Sequence, residues 1–228
     1  RDSPLEGRDV TLFGTLGAFA TEYANNGWNS SSMTEGSTEN KWLLGAQVGA
    51  DWKINNQNSL RGALAYYHFD NISGKRSSSC SPWAGDENCD TDWSRPAFMQ
   101  KGNTLFLLRN IAPNPLNPAD TPQPQYVGLA SKFDLLDLNL RWDTRVFDGL
   151  GLRLNGNYIR NLAYSKSKMA SRSQGYIVNN FGENGDIESG PNAWMLQATL
   201  GRSYDLKEKG DWLAFVGYKY IQPDALPD

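Results

Sequence analysis

Few side chains in this sequence are equipped for catalysis. Among 228 residues there is one histidine, His68, and there are two cysteines, Cys80 and Cys89. Zinc is held by several His or Cys ligands at short spacing, and these three residues do not supply a tetrahedral set. The chain carries no G-x-S-x-G elbow, no P-loop and no His–Glu pair. An enzyme built on a barrel needs a Ser or Asp working with a His. His68, beside Tyr66 and close to a loop, is the sole candidate, and an interfacial histidine is the simpler reading. No catalytic residue and no cofactor is expected. Cys80 and Cys89 lie nine positions apart in a stretch rich in Ser, Gly and Asp. In an oxidising compartment they close one small disulfide loop. Asp90 and Asp92 follow. Clustered carboxylates can hold Ca²⁺, but their order does not match an EF-hand loop. A solvated surface loop is the default reading, and no metal is assigned.

Composition narrows the class. Acidic residues number 25 and basic residues 22, for a net charge of −3. Duplex-binding proteins carry a basic excess, so nucleic acid is not an expected partner. Hydrophobic residues make up 39%, mean hydropathy is −0.58, and no run approaches the roughly 18 apolar residues of a spanning helix. Aromatic residues at 12% and 22 glycines point to a β protein rather than a disordered one.

Period-two alternation marks the strands. From Trp42 to Ile54 the even positions Trp42, Leu44, Ala46, Val48, Ala50 and Trp52 are apolar, while Gln47, Asp51 and Lys53 oppose them. Leu136, Leu138, Leu140 and Trp142 alternate with Asp137, Asn139, Arg141 and Asp143. Leu150, Leu152, Leu154 and Tyr158 oppose Arg153, Asn155 and Asn157. Trp194, Leu196, Ala198 and Leu200 oppose Gln197 and Thr199. Val10–Tyr23, Leu60–Phe69 and Trp212–Ile221 are less clean candidates. Seven strands result, at about 10–23, 41–54, 59–69, 130–143, 150–163, 192–204 and 212–221.

The connections alternate in length. Residues 24–40, 70–129 and 164–191 are long, whereas 55–58, 144–149 and 205–211 are short. Long loops at one end and short turns at the other are the habit of an up-and-down outer-membrane barrel. Aromatic residues give a second indication: Trp42, Trp52, Trp142, Trp194 and Trp212 sit near strand ends, as two interfacial girdles require. The fold expected is all-β, an antiparallel up-and-down transmembrane β-barrel, incomplete at about seven strands, with residues 1–228 a partial outer-membrane barrel domain.

The other face carries Asp51, Lys53, Arg61, Asp137, Asn139, Arg141, Asp143, Arg153, Asn155 and Lys219. Each Arg or Lys facing the bilayer midplane costs about 2–4 kcal/mol, so this face must line a wet interior. Backbone amides in lipid must find partners within the protein, which forces the sheet to close. The 55–58 turn sets Trp52 opposite Leu60 and Asp51 opposite Arg61. The 144–149 turn sets Leu140 opposite Leu154 and Arg141 opposite Arg153. The wall either carries a transverse field that sorts solutes or is simply solvated.

Sixty residues between 70 and 129 exceed an ordinary hairpin loop. Leu105 to Leu108 are too apolar to stand in water. They fold into a barrel mouth with Arg109 at a constriction, form a subunit contact, or add a short strand. Residues 112–125 hold five of the eleven prolines, so this part is extended. Lys166, Lys168 and Arg172, with nearby Arg160, offer charge to lipopolysaccharide phosphates, although a charge run is more often a solvated face. The acidic stretch Glu183–Glu188 partly cancels it.

The C-terminal run Phe215-Val-Gly-Tyr-Lys-Tyr-Ile-Gln-Pro-Asp-Ala225 resembles the Gly-Tyr-x-Tyr-(Ile/Leu)-x-Pro-Asp-Ala segment of the proteobacterial "putative porin" family. Gly102-Asn-Thr-Leu-Phe106 with Arg109-Asn110, and Phe133 to Asp143, are similar to the same family. The resemblance implies an outer-membrane barrel that passes small solutes passively, with no catalytic residues to transfer. Its expected setting is the bacterial outer membrane. Its expected partners are membrane lipid and lipopolysaccharide, small hydrophilic solutes, and further copies of the chain in a homo-oligomer (a trimer). Two rivals differ in class: a non-conducting scaffold or adhesin working through its long loops, and a soluble barrel binding a small apolar ligand. Arg1 to Val10 shows no apolar leader core, as in a mature or trimmed form. Such barrels end on a strand with a terminal aromatic, and they use even strand numbers. A chain of seven strands stopping at Pro227-Asp228 is therefore expected to be part of a longer barrel, unable to insert properly alone.

Overall fold

The computed structural model describes residues 9–22, 39–85, 88–96, 102–117, 125–147 and 149–227. Tyr23 and most of the first long loop, Arg1 to Arg8, the acidic pair Asp86-Glu87, Gln100-Lys101 and the prolines at 118, 122 and 124 lie outside these residues.

Every alternating segment became a strand. The large sheet holds β1 (Val10–Glu22), β2 (Lys41–Lys53), β3 (Asn58–Asp70), β8 (Asp134–Val146), β9 (Leu150–Asn161), β10 (Asn192–Gly201) and β11 (Leu213–Ile221). Neighbours pair antiparallel in chain order, so the topology is an up-and-down meander of seven strands. Its edges are β1 and β11, and among the described residues the sheet is open.

The first register expectation holds. Asn55 caps its own turn, accepting from the Gln57 amide and the Asn58 side chain, and Asp51 faces Arg61 while Trp52 faces Leu60. The second is corrected by two residues. β8 does not stop at Asp143 but continues through Val146, and β9 opens at Leu150, so the connection is shorter than expected. Leu140 therefore faces Gly156, Arg141 faces Asn155 and Asp143 faces Arg153. Positive φ at Phe147 and Gly149 makes the tight reversal. β8 also starts later than 130, because Val127–Leu129 is a separate strand, β7, in a different sheet.

The segment 70–129 is a small structure in its own right. β4 (Ser79–Cys80) pairs parallel with β6 (Asn110–Ile111), and β5 (Leu105–Leu107) pairs antiparallel with β7. Cys80 and Cys89 are joined by a disulfide. The apolar run from Leu105 is thus the short extra strand, and its burial explains the composition: Phe106 and Leu108 are fully buried with Ala130 and Met169. Met169 comes from α1 (Lys166–Ser173), an eight-residue helix inside what the sequence presents as a plain loop. Its N-cap is Ser165, whose side chain accepts from the Lys168 amide. Further backbone bonds, Leu107 N to Tyr176 O and Val178 N to Leu105 O, tie the two long loops into one cap.

Candidate functional site

Strand register decides which side chains share a face, because successive residues point to opposite sides. On one face the rung through Asp51 runs on through Arg61, Arg141, Asn155 and Gln197. The next rung toward the short turns joins Lys53, Ser59, Asp143, Arg153 and Thr199. In the other direction lie Ala63, Asn139, Asn157, Met195 and Lys219, and beyond them Gln47, Ala65 and Asp137. All ten charged or amide residues expected to share one side do so.

Their charges are interleaved. Arg153 Nε donates to Asp143 Oδ1 at 2.5 Å, and Arg141 Nε lies 3.0 Å from Asp143 Oδ2. Arg61 and Asp51 approach at 3.6 Å, both more than 40% exposed, so this pair adds at most about 1 kcal/mol. Asp137 Oδ1 accepts from the side-chain amides of Asn139 (2.9 Å) and Asn157 (2.5 Å). Tyr204, in the turn after β10, lies under Arg153 with 4.1 Å from guanidinium to ring centroid. Burial pushes its phenol pKa up, with Asp143 adding to the shift.

This polar face is the concave one. Asp9 just before β1 and Thr11 on it, and Tyr204 and Asp205 just past β10, line one cavity of about 930 Å³ at the short-turn end. In a flat sheet, five strand spacings would hold β1 and β10 roughly 24 Å apart, too far to share it. The sheet is therefore curled around its charged side.

The convex face is apolar. One rung reads Val10, Trp52, Leu60, Trp142, Leu154, Ala198, Val216, and another Val48, Leu64, Leu138, Tyr158, Trp194, Tyr220. Leu16, Val48, Leu64, Leu138, Leu140, Leu196 and Val216 are exposed. Trp42 and Trp52 stand ten residues apart on β2, about 33 Å along the strand. At a tilt near 40° that spans about 25 Å, the height of an outer-membrane apolar band. Trp194 packs on Tyr218 and Tyr220 near the long-loop end. At the same end His68 Nδ1 meets Asp134 Oδ1 at 2.6 Å on this convex side.

The chain matches the family described as "Putative porin" over residues 2–228. It belongs to that family. Among curated proteins and among solved structures, nothing matches it. Membership in the porin family carries a porin-like role in general, a non-enzymatic channel class and an outer-membrane setting in general.

Two stretches that carried the resemblance to this porin family meet in space. Asp224, from the Pro-Asp-Ala segment after β11, accepts from the Thr104 amide at 2.8 Å and from Thr104 Oγ1 at 2.5 Å. Asn103 Nδ2 donates to Leu226 O, and Asn161 Nδ2 donates to Asp224 O. The cap is thereby fastened to the end of the last strand. It also sits over the concave side: Leu129, Phe133 and Leu135 pack with Tyr67, Phe69, Leu105 and Ile159, and the register places Tyr67, Leu135 and Ile159 on the concave face.

Arg109 is corrected from a constriction charge to an internal tie. Only 2% exposed, it grips Asp92 through Nε at 3.0 Å and Nη2 at 2.6 Å, and stacks 4.1 Å over Tyr126. Hydrogen bonding to Asp92 raises its pKa against the opposing effect of burial. The carboxylates weighed for Ca²⁺ are engaged elsewhere: Asp92 by Arg109 and the Cys89 amide, Asp90 by Ser78. Arg172 turns inward to donate to the Ala130 carbonyl, and burial lowers its pKa. It is thus not among the charges offered outward, while Arg160, Lys166 and Lys168 remain exposed.

Proposed function

We propose that this chain forms wall of an outer-membrane diffusion pore, with the convex leucine and tryptophan side against lipid and the concave charged side against water. Small hydrophilic solutes or ions pass by diffusion, without chemistry and without a cofactor. The observation that carries the reading is the separation of the charged and amide residues of β2, β3, β8, β9 and β10 from the leucine and tryptophan rows of the same strands, with the charged side on the inside of the curl. A soluble ligand-binding barrel needs the reverse arrangement, apolar side chains inward and charges outward. Asp51, Lys53, Arg61, Asp137, Asn139, Arg141, Asp143, Arg153, Asn155 and Lys219 line the aqueous side.

The cap over the concave face favours one second reading, a plugged barrel working through its loops. Single-channel recording of the full-length protein in planar bilayers separates the two. Stepwise conductance supports the pore. Folded protein that inserts and gives no steps supports the plugged scaffold. Membrane fractionation tests the location: recovery in the soluble fraction without detergent overturns both.

A further inference from the structure

One place on the concave face pairs an unfavourable charge arrangement with room for a guest. Arg61 on β3 and Arg141 on β8 are directly opposed across the ladder. Like charges in that position destabilise a sheet, so they call for compensation, and the compensation inside the chain is partial. Arg61 Nη1 stands 3.6 Å from Asp51, outside hydrogen-bond length, and the guanidinium rests 4.3 Å over the Phe13 ring. Arg141 Nε is near Asp143 but misaligned; it is a buried nitrogen with no hydrogen-bond partner. Asp143 is shared, since its other oxygen takes the bond from Arg153. Neither Arg61 nor Arg141 donates a side-chain hydrogen bond to any described residue.

Both arginines line a cavity of about 360 Å³ whose other polar lining residues are Gln47, Asn139, Asn155 and Asn157. The amides of Asn139 and Asn157 are committed to Asp137, which lies outside this lining. The side-chain amides of Gln47 and Asn155 make no hydrogen bond to described residues. The cavity is thus lined by two arginines and two amides, with Asp51, Asp137 and Asp143 beside it but no carboxylate among its lining residues.

We propose that Arg61 and Arg141 form an anion station in the pore wall. It takes the oxyanion group, carboxylate or phosphate, of a small hydrophilic solute. A guanidinium binds such a group through two parallel N–H donors, and an anion seated between the arginines relieves their mutual repulsion. The site rests on the porin reading and deepens it by naming a solute class.

The test uses the full-length protein in planar bilayers. The reversal potential under a KCl gradient reads chloride against potassium permeability. Added succinate or inorganic phosphate reads occupancy as a fall in current and distinguishes the two anion sources. The wild type is expected to favour chloride. Arg61→Gln and Arg141→Gln are each expected to lower that preference by roughly up to fivefold, and the double variant to abolish it and the anion block. Arg141→Lys restores the preference relative to Arg141→Gln but leaves the block weakened, because a point charge replaces a fork. Channels whose selectivity and block are unchanged in the double Gln variant overturn the anion station alone. Heat-modifiable, inserted protein that gives no channel steps overturns the porin reading beneath it.

Discussion

Asp224 holds Thr104 through two hydrogen bonds across 120 residues of chain, and both residues are fully buried. One lies after the last sheet strand and the other in the long excursion between β3 and β8. The carboxylate leaves neither the amide nor the hydroxyl of Thr104 unsatisfied. Asp224→Ala strands both donors in a dry site, a loss of about 1–3 kcal/mol for each buried group left unpaired. The expected result is faster proteolysis within the cap while the far-ultraviolet spectrum of the sheet is retained. Unchanged cleavage would show that the clamp is dispensable.

The Arg109–Asp92 pair is a second internal tie, and its two partners should behave unequally when lost together or singly. Arg109→Ala leaves the buried Asp92 carboxylate without its counter-charge, held by the Cys89 amide, and is expected to destabilise the cap by about 3–5 kcal/mol. Replacing both with apolar residues of similar volume, Arg109→Met with Asp92→Leu, should recover most of that. Hydrogen exchange in residues 89–110 measures it; a double variant as damaged as the single one contradicts the account.

Orientation of the wall is tested by one residue step. Leu138 is exposed on the convex side and Asn139 points to the concave side. In the full-length protein Leu138→Arg places a charge on the face proposed to meet hydrocarbon, at a cost of about 2–4 kcal/mol, and should cut the heat-modifiable, membrane-inserted fraction. Asn139→Arg should insert normally. Equal tolerance of both substitutions would reverse the assignment of faces.

Alkali should loosen the cap at Tyr164. Its hydroxyl donates to Ser189 O at 2.7 Å, and burial, aided by Asp224, raises its pKa despite the opposing Ser189 bond. A raised pKa in the folded state stabilises below the ordinary tyrosine value of about 10 and loses that contribution as pH climbs through the folded value. Tyrosinate absorbance and cap proteolysis should therefore rise together at high pH, and Tyr164→Phe should remove the coupled part.

The disulfide closes a short loop, which in the chain-entropy view is worth about 2.5–3 kcal/mol. Cys80→Ser with Cys89→Ser is expected to expose residues 77–95 to protease without altering the sheet. The Cys89 amide donates to Asp92, so the same variant should also weaken the grip on Arg109. A cap that resists protease equally with and without the bond contradicts this.

The strands were legible because the two faces of the sheet carry opposite kinds of side chain, which writes period two into β2, β8, β9 and β10. The β2–β3 register was legible because its turn is short and polar. The β8–β9 turn was misplaced because Thr144 breaks the apolar count at Trp142, although Val146 and Arg145 continue the alternation and Asp148-Gly149 is the stronger turn signal. The cap was not legible in detail. Asp92 and Arg109 lie 17 residues apart with no local pattern linking them, and α1 is too short, at eight residues, for its apolar period to stand out. Ser165 as an N-cap was the available clue.

The clamp at Asp224 also imposes a chronology. Contacts that close so long a stretch of chain form late, since loop-closure entropy must be met first. Asp224 follows β11 in the chain, so its bond to Thr104 is expected to close only after the seven described strands have paired, leaving the cap loose until then.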